Sequence, residues 1–154
     1  MGADLYMNRA YDEKCAEKKE TLDSFGKAKG NGVELTQAQK QHMMDVYDDL
    51  YKQGDVYFRD SYNSGSVMWA MGMSWWDDVV PMLDQDGNLS HEDTLKLVNM
   101  ITDAPINVST DFLENMPDEW TIDDAQKYLR EEQQKLVGFL KRAVETDDTV
   151  SCSL

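Results

Sequence analysis

The sequence is poor in the residues from which most recognisable catalytic and metal sites are built. Its 154 residues include two cysteines and two histidines, and Cys15 and Cys152 stand near opposite ends. Because there is no Cys-x-x-Cys pair, neither a zinc-binding motif nor a thiol redox motif is indicated. His42 and His91 stand beside methionine and glutamate, with no nucleophile paired to either. The sequence therefore gives no sign of a catalytic triad or of a multi-histidine metal site.

Long apolar runs and phosphate-binding glycine loops are also missing. The first residues lack the basic region and apolar core of a signal peptide. The longest uncharged stretch, residues 61–76, contains Asn, Gly and Ser and is shorter than the roughly 20 apolar residues of a bilayer span. The glycines at 26, 30 and 32 follow a predicted helix and not the strand that a dinucleotide site needs. We expect a cytoplasmic protein with two reduced thiols.

Basic residues are scarce in comparison with acidic ones. The chain has 30 acidic and 15 basic residues, which gives a formal net charge of −15. Proteins that bind nucleic acid neutralise its phosphates with lysine and arginine, and anionic membranes attract the same residues. We therefore expect neither direct binding to nucleic acid nor adhesion to a membrane.

The excess of acidic residues is concentrated in one stretch, which we call the acidic block (residues 60–126). It holds fourteen acidic residues, one basic residue, Lys96, and all four tryptophans of the chain. The simplest interpretation is a solvated face that keeps the protein soluble. The alternative is a surface for a cationic partner. Concentrated like charge lowers the stability of the fold by self-repulsion, and solubility alone does not require such an uneven distribution.

Periodicity predicts a mostly α-helical fold of four to five helices in a single domain over residues 1–145. A short strand at Ala3 to Met7 is compatible with this pattern. Residues 146–154 are predicted to form a polar, frayed tail. The first helix starts near Asn8, and Thr36 opens the second with Gln39 as its capping-box partner.

The middle and end of the chain give further helix signals. Residues 67–76 are apolar on every side, which predicts a buried helix. Ser90 caps a fourth helix that extends to about Thr102, and one helical turn is expected near 110–115. Thr121 caps the last helix, with two aspartates in its first turn.

Carboxylates combined with tryptophan suit a groove lined by arginine and lysine, because carboxylates pair with guanidinium groups and rings stack on them. Nucleic-acid enzymes hold DNA or RNA in grooves of this kind. The residues that we predict to contact such a partner are Asp77, Asp78, Asp84, Asp86, Asp118, Glu119 and Trp120.

A second candidate site is the mixed aromatic and polar string at residues 57–63 with the tryptophans that follow. One interpretation is a pocket for a small, nucleotide-like ligand, in which Arg59 grips a carboxylate or phosphate. The other is a connection whose rings close the core. The pocket candidates are Tyr57, Arg59, Asp60, Tyr62, Asn63, Trp75 and Trp76.

Two pairs of acidic residues support an enzymatic alternative. Glu17 and Glu20, and likewise Asp45 and Asp48, are three residues apart, so each pair lies on one helix face. The spacing resembles that of the all-helical nucleotide pyrophosphohydrolases, although Asp45 stands where that family has a second glutamate. The resemblance implies a magnesium cofactor, which two facing pairs would hold. Apart from this alternative we expect no cofactor.

Residues 84–93 resemble a calcium loop of the EF-hand type. With Gly87 at the sixth position, the first position is Met82, which cannot ligate, and the last is Asp93 where a bidentate glutamate is usual. We therefore expect a tight turn before the Ser90 cap and no bound calcium.

Three strings, residues 1–6, 57–63 and 74–76, resemble small uncharacterised proteins of phages and bacteria. The resemblance implies no particular activity. It implies a phage or mobile-element setting, in which compact acidic proteins often inhibit host defence, and a phage-encoded protein would act in the host cytoplasm. Our leading hypothesis is a non-catalytic inhibitor of a host nucleic-acid-binding defence enzyme, of the anti-CRISPR or anti-restriction type, that acts by nucleic-acid mimicry.

Overall fold

A computed structural model describes residues 2–154 and is 58% helical. The chain is mostly α-helical, as the sequence predicts, but it also contains a four-stranded antiparallel sheet in the order β2-β1-β4-β3. The α-helices are α1 (Asn8–Gly30), α2 (Gln37–Leu50), α3 (Val67–Ala70), α4 (His91–Ile101), α5 (Thr110–Glu114) and α6 (Ile122–Glu145). The strands are β1 (Gly2–Met7), β2 (Tyr57–Ser61), β3 (Asn88–Leu89) and β4 (Val150–Ser153).

The sheet is larger than the short strand expected from the sequence. Residues 57–61 form an edge strand paired with β1, and the predicted frayed tail contains β4, which pairs with β1 and β3. Val150 and Cys152 of β4 are buried. Both strands were missed because their pairing partner, β1, is distant in sequence, whereas helix signals are local.

The core lies between one face of the sheet and helices α4 and α6. Alternate residues of β1 point into it, namely Ala3, Leu5 and Met7. Phe58 of β2 meets Phe139 of α6 with their ring centroids 6.2 Å apart. The sheet face that contacts these helices is therefore apolar. The opposite face carries the polar and aromatic residues that alternate with the apolar residues along β1.

The predicted buried helix over residues 67–76 is interrupted. Helix α3 ends after Ala70, and Gly72 follows with a positive φ of 73°. A π-helix, Trp75–Val79, then begins behind Ser74 and is followed by a short 3-10 helix, Val80–Met82. The segment is not buried on every side, since Trp75 is buried and Trp76 is 54% exposed.

Helices α1 and α2 form an antiparallel pair that we call the hairpin arm (residues 8–50). Helix α1 packs mainly on α2 and, at its start, on β1. The carboxylate of Asp148 caps α1 by accepting hydrogen bonds from the backbone N–H groups of Arg9 and Ala10, at 2.9 and 3.0 Å. No side chain at the N-cap position does so, and the chain region just before β4 therefore holds the base of the arm.

Candidate functional site: an acidic surface and an aromatic groove

The outer face of the sheet forms an open groove of about 510 Å³. Alternation along β1 and β2 places Asp4, Tyr6, Tyr57 and Arg59 on this face, opposite the core. The groove continues to Trp76 and to the end of β4. Its lining residues are Gly2, Asp4, Arg59, Tyr62, Trp76, Ser153 and Leu154.

Arg59 and Asp4 are directly opposed across β1 and β2. Arg59 Nη1 lies 3.4 Å from Asp4 Oδ1, and the Tyr57 hydroxyl donates a hydrogen bond to the same carboxylate. Burial, reinforced by this hydrogen bond to Asp4, raises the pKa of Tyr57 to about 12. Arg59 is therefore paired with a carboxylate of its own chain, while its side chain remains 53% exposed.

The absence of a side chain at Gly2 leaves room for Arg59 against the sheet. A Cβ at position 2 would lie 2.5 Å from the Asp60 carbonyl oxygen and 3.1 Å from Arg59 Nε. Any side chain at this position would displace the backbone of β2 or the guanidinium.

Tyr62 and Trp76 supply the aromatic wall of the groove. Their ring centroids are 5.7 Å apart and the rings are tilted by 41°. Trp76 is 54% exposed, and its neighbour Asp77 is also exposed. The wall therefore presents an exposed indole ring next to an exposed aspartate in sequence, and aromatic rings of this kind attract cations.

Asp60 and Trp75, two of the pocket candidates, lie in the core instead of the groove. The Asp60 carboxylate accepts hydrogen bonds from the Trp75 indole N–H at 2.8 Å and the Ser66 hydroxyl at 2.6 Å. It also accepts the backbone N–H groups of Val67 and Met68 at the start of α3. Asp60 therefore joins β2, α3 and the π-helix.

Asn63, the remaining pocket candidate, shapes the turn after β2. Its Oδ1 accepts hydrogen bonds from the Ser61 hydroxyl and the Gly65 backbone N–H. Asn63 itself is exposed, whereas Tyr57 is buried. Of the seven pocket candidates, the structure brings three, Arg59, Tyr62 and Trp76, to the groove.

The acidic block is exposed and nearly uncompensated. Its single base, Lys96, is bound to Glu92 and Asp93 on its own helix, at 3.3 and 3.2 Å. Asp60 is buried, and Asp78 and Asp93 are half-buried. The other eleven acidic residues are exposed, namely Asp77, Asp84, Asp86, Glu92, Asp103, Asp111, Glu114, Asp118, Glu119, Asp123 and Asp124.

Some carboxylates of the acidic block have structural roles that limit their use in binding. Asp84 Oδ1 accepts the backbone N–H groups of Asp86 and Asn88 and closes the turn before β3. Asp78 accepts the Ser74 N–H, and Asp124 completes the capping box of Thr121, whose backbone N–H lowers the pKa of Asp124. Asp77 and Asp86 have no such side-chain bond among the described residues.

The predicted partner-binding residues form two groups. Asp86 lies near β4, because the Cys152 backbone N–H donates to the carbonyl oxygen of the adjacent Gly87. Asp77 follows Trp76, which lines the groove with Ser153 and Leu154 at the end of β4. Asp118 and Glu119 precede Trp120, whose ring meets Tyr128 of α6 at 5.6 Å. No hydrogen bond, ion pair or ring contact of the described residues connects the two groups.

The carboxylate pairs of the enzymatic alternative lie on the hairpin arm. Glu17, Glu20, Asp45 and Asp48 are all exposed. The side of α1 that faces α2 instead carries Lys14 and Lys18, which pair with Asp49 at 3.2 and 2.6 Å. Within residues 2–154 no group of three or more His, Cys, Asp or Glu side chains is arranged to hold a metal ion.

Sequence reasoning missed Asp4, Tyr6 and the β4 residues of the groove. The signal that could have found Asp4 and Tyr6 is the alternation of apolar and polar residues along Ala3–Met7, which puts both on one strand face. No local signal joins Ser153 or Leu154 to them, since that contact depends on the pairing of β4 with β1.

Comparison with family models, with curated proteins and with solved structures found no match to this chain. Within the described residues no helix is long and apolar enough to cross a membrane. The chemistry of the exposed surface is therefore the basis for assigning a function.

Proposed function

We propose that this chain is a non-catalytic binding protein whose acidic block occupies a basic, nucleic-acid-binding surface of another protein. The observation that carries the proposal is the exposure of eleven block carboxylates while the only block base is tied to Glu92 and Asp93. Such a surface produces a strong negative potential, which accelerates and orients the approach of a basic partner.

Exposed aromatic rings in the same block support a binding role over simple solubility. Trp69 and Trp76 are 56% and 54% exposed. Exposing so large an apolar ring to water is unfavourable in free energy. At interfaces tryptophan supplies a large share of the binding free energy, and it stacks well on arginine. In the anti-CRISPR or anti-restriction setting, the partner is a host defence enzyme and the carboxylates take the place of nucleic-acid phosphates.

The test is capture of proteins from a bacterial lysate on the immobilised chain, followed by identification and competition with duplex DNA or with RNA. Two double charge reversals test the two groups of carboxylates separately. One combines Asp77→Lys with Asp86→Lys, and the other combines Asp118→Lys with Glu119→Lys. Both avoid Asp78, Asp84 and Asp124, which cap local structure.

The matched control is Glu17→Lys with Glu20→Lys, which changes the net charge by the same amount outside the block. We expect the wild type and this control to capture a nucleic-acid-binding protein that nucleic acid and about 0.5 M salt displace. At least one block variant should lose it. Capture that is equal in all variants, or that resists salt and nucleic acid, contradicts the proposal.

A further inference from the structure

An exposed apolar stripe runs along helix α2 to its C-cap residue Tyr51, whose hydroxyl contacts that of Tyr11 on α1 at 3.2 Å. Met44, Tyr47 and Tyr51 follow one another at helical spacing and are 54%, 45% and 41% exposed. The rings of Tyr47 and Tyr51 stack at 6.4 Å with an interplanar angle of 13°. A continuous apolar stripe of this kind marks an interaction surface more often than isolated apolar residues do.

The hairpin arm buries little apolar surface of its own. Helix α1 has 23 residues and none of them is buried, and α2 buries only Val46 and Leu50. Near the tip, Phe25 meets His42 at 6.0 Å, and both lie outside the core. Because helices gain most of their stability by packing an apolar face, the arm has a face available for a second packing partner.

The charges that flank the stripe are self-complementary. Lys40 and Asp48 are exposed, lie on the same side of α2 as Met44, and make no ion pair among the described residues. Each is four residues from Met44, or about 6 Å along the helix axis. Two copies of α2 that cross in antiparallel orientation at Met44 would place each lysine opposite the aspartate of the other copy.

We propose that a second copy of this chain covers the stripe, in a two-fold arrangement centred on Met44. A copy can approach here because the arm has seven basic and nine acidic residues, whereas the acidic block has one and fourteen. Approach through the block would bring like charges together. An antiparallel α2 pair is self-complementary, as an isologous contact requires. The contact uses no residue of the acidic block and is independent of the proposed function.

The test is sedimentation velocity of the full chain between about 5 and 500 µM in 50 mM salt, with two single charge reversals. Lys40→Asp and Asp48→Lys each place like charges opposite one another in a homodimer, so each should weaken the dimer about tenfold. The double variant, Lys40→Asp with Asp48→Lys, restores opposite charges and should dimerise like the wild type. An equimolar mixture of the two single variants should form a heterodimer for the same reason.

The outcomes separate this contact from other forms of association. Far-UV circular dichroism should be the same in all variants, because both residues are exposed. A wild type that stays monomeric at 500 µM overturns the proposal. So does a dimer that is equally strong in every variant, or a double variant that fails to recover, because these results require a different surface.

Discussion

The side-chain amide of Gln53 makes both hydrogen bonds that a neighbouring strand would make to Arg59. Gln53 Oε1 accepts the Arg59 backbone N–H at 2.9 Å, and Gln53 Nε2 donates to the Arg59 carbonyl oxygen at 2.8 Å. Arg59 lies on β2, which is an edge of the sheet. The contact satisfies backbone groups that would otherwise be open to pairing with another chain.

Replacing Gln53 should therefore affect both stability and association. Gln53→Ala removes the two hydrogen bonds to Arg59. We expect it to lower the free energy of unfolding by about 1 to 2 kcal/mol and to increase light scattering on storage. The matched control is Lys52→Ala, at an exposed neighbouring position. Urea unfolding and light scattering check both effects. If Gln53→Ala changes neither the free energy of unfolding nor the scattering, Gln53 does not protect the edge strand β2.

The Asp60 carboxylate should be the acidic residue of the block that matters most for folding. In Asp60→Asn the amide group turns a donor toward the donors of Ser66, Val67 or Trp75. We expect a loss of about 3 kcal/mol in the free energy of unfolding. The control, Asp103→Asn, is exposed and should stay within about 0.5 kcal/mol of the wild type. Similar urea midpoints for the two variants would contradict this role.

The buried thiol of Cys152 should make stability fall in alkaline solution. Burial raises its pKa to about 12, whereas an unfolded thiol ionises near pH 8.5. Below that pH the thiol is neutral in both states and has no effect. As pH rises above it, the unfolded chain loses its proton first, so the free energy of unfolding decreases.

The expected decrease between pH 8 and pH 10 is about 1 to 2 kcal/mol, measured by urea unfolding at each pH. Cys152→Ala serves as the control, because it removes this ionisation and keeps the contribution of the tyrosines. The readout is the change with pH and not the absolute stability, which the lost packing also alters. Parallel pH profiles of the two proteins would be inconsistent with a buried neutral thiol.

The parts of the fold that could be predicted are those specified by neighbours in sequence. The hydroxyls of Thr36, Ser90 and Thr121 cap α2, α4 and α6 as expected, because each bonds a backbone N–H three residues away. Strand β4 could not be found this way, since its partner lies about 145 residues earlier in the chain. The groove shares this limit because it depends on β1, β2 and β4 together.

The site predictions divide along the same line. Exposure of the block followed from composition, since a surplus of carboxylates without bases cannot be buried. The burial of Asp60 beside Trp75 did not, because nothing in the string at residues 57–63 shows which of its polar residues turns toward the core. Strand alternation decides it, and that alternation is visible only when β2 is known to be a strand.

The division of the chain into the hairpin arm and the remaining residues, which we call the body, also determines what spectroscopy reports. All four tryptophans belong to residues 60–126, and the arm contains tyrosine but no tryptophan. Tryptophan emission therefore follows the body alone, whereas α1 and α2 account for a large part of the helical circular dichroism signal. If the two signals change at different urea concentrations, the arm unfolds as a separate cooperative unit. A single fluorescence curve would miss that step entirely.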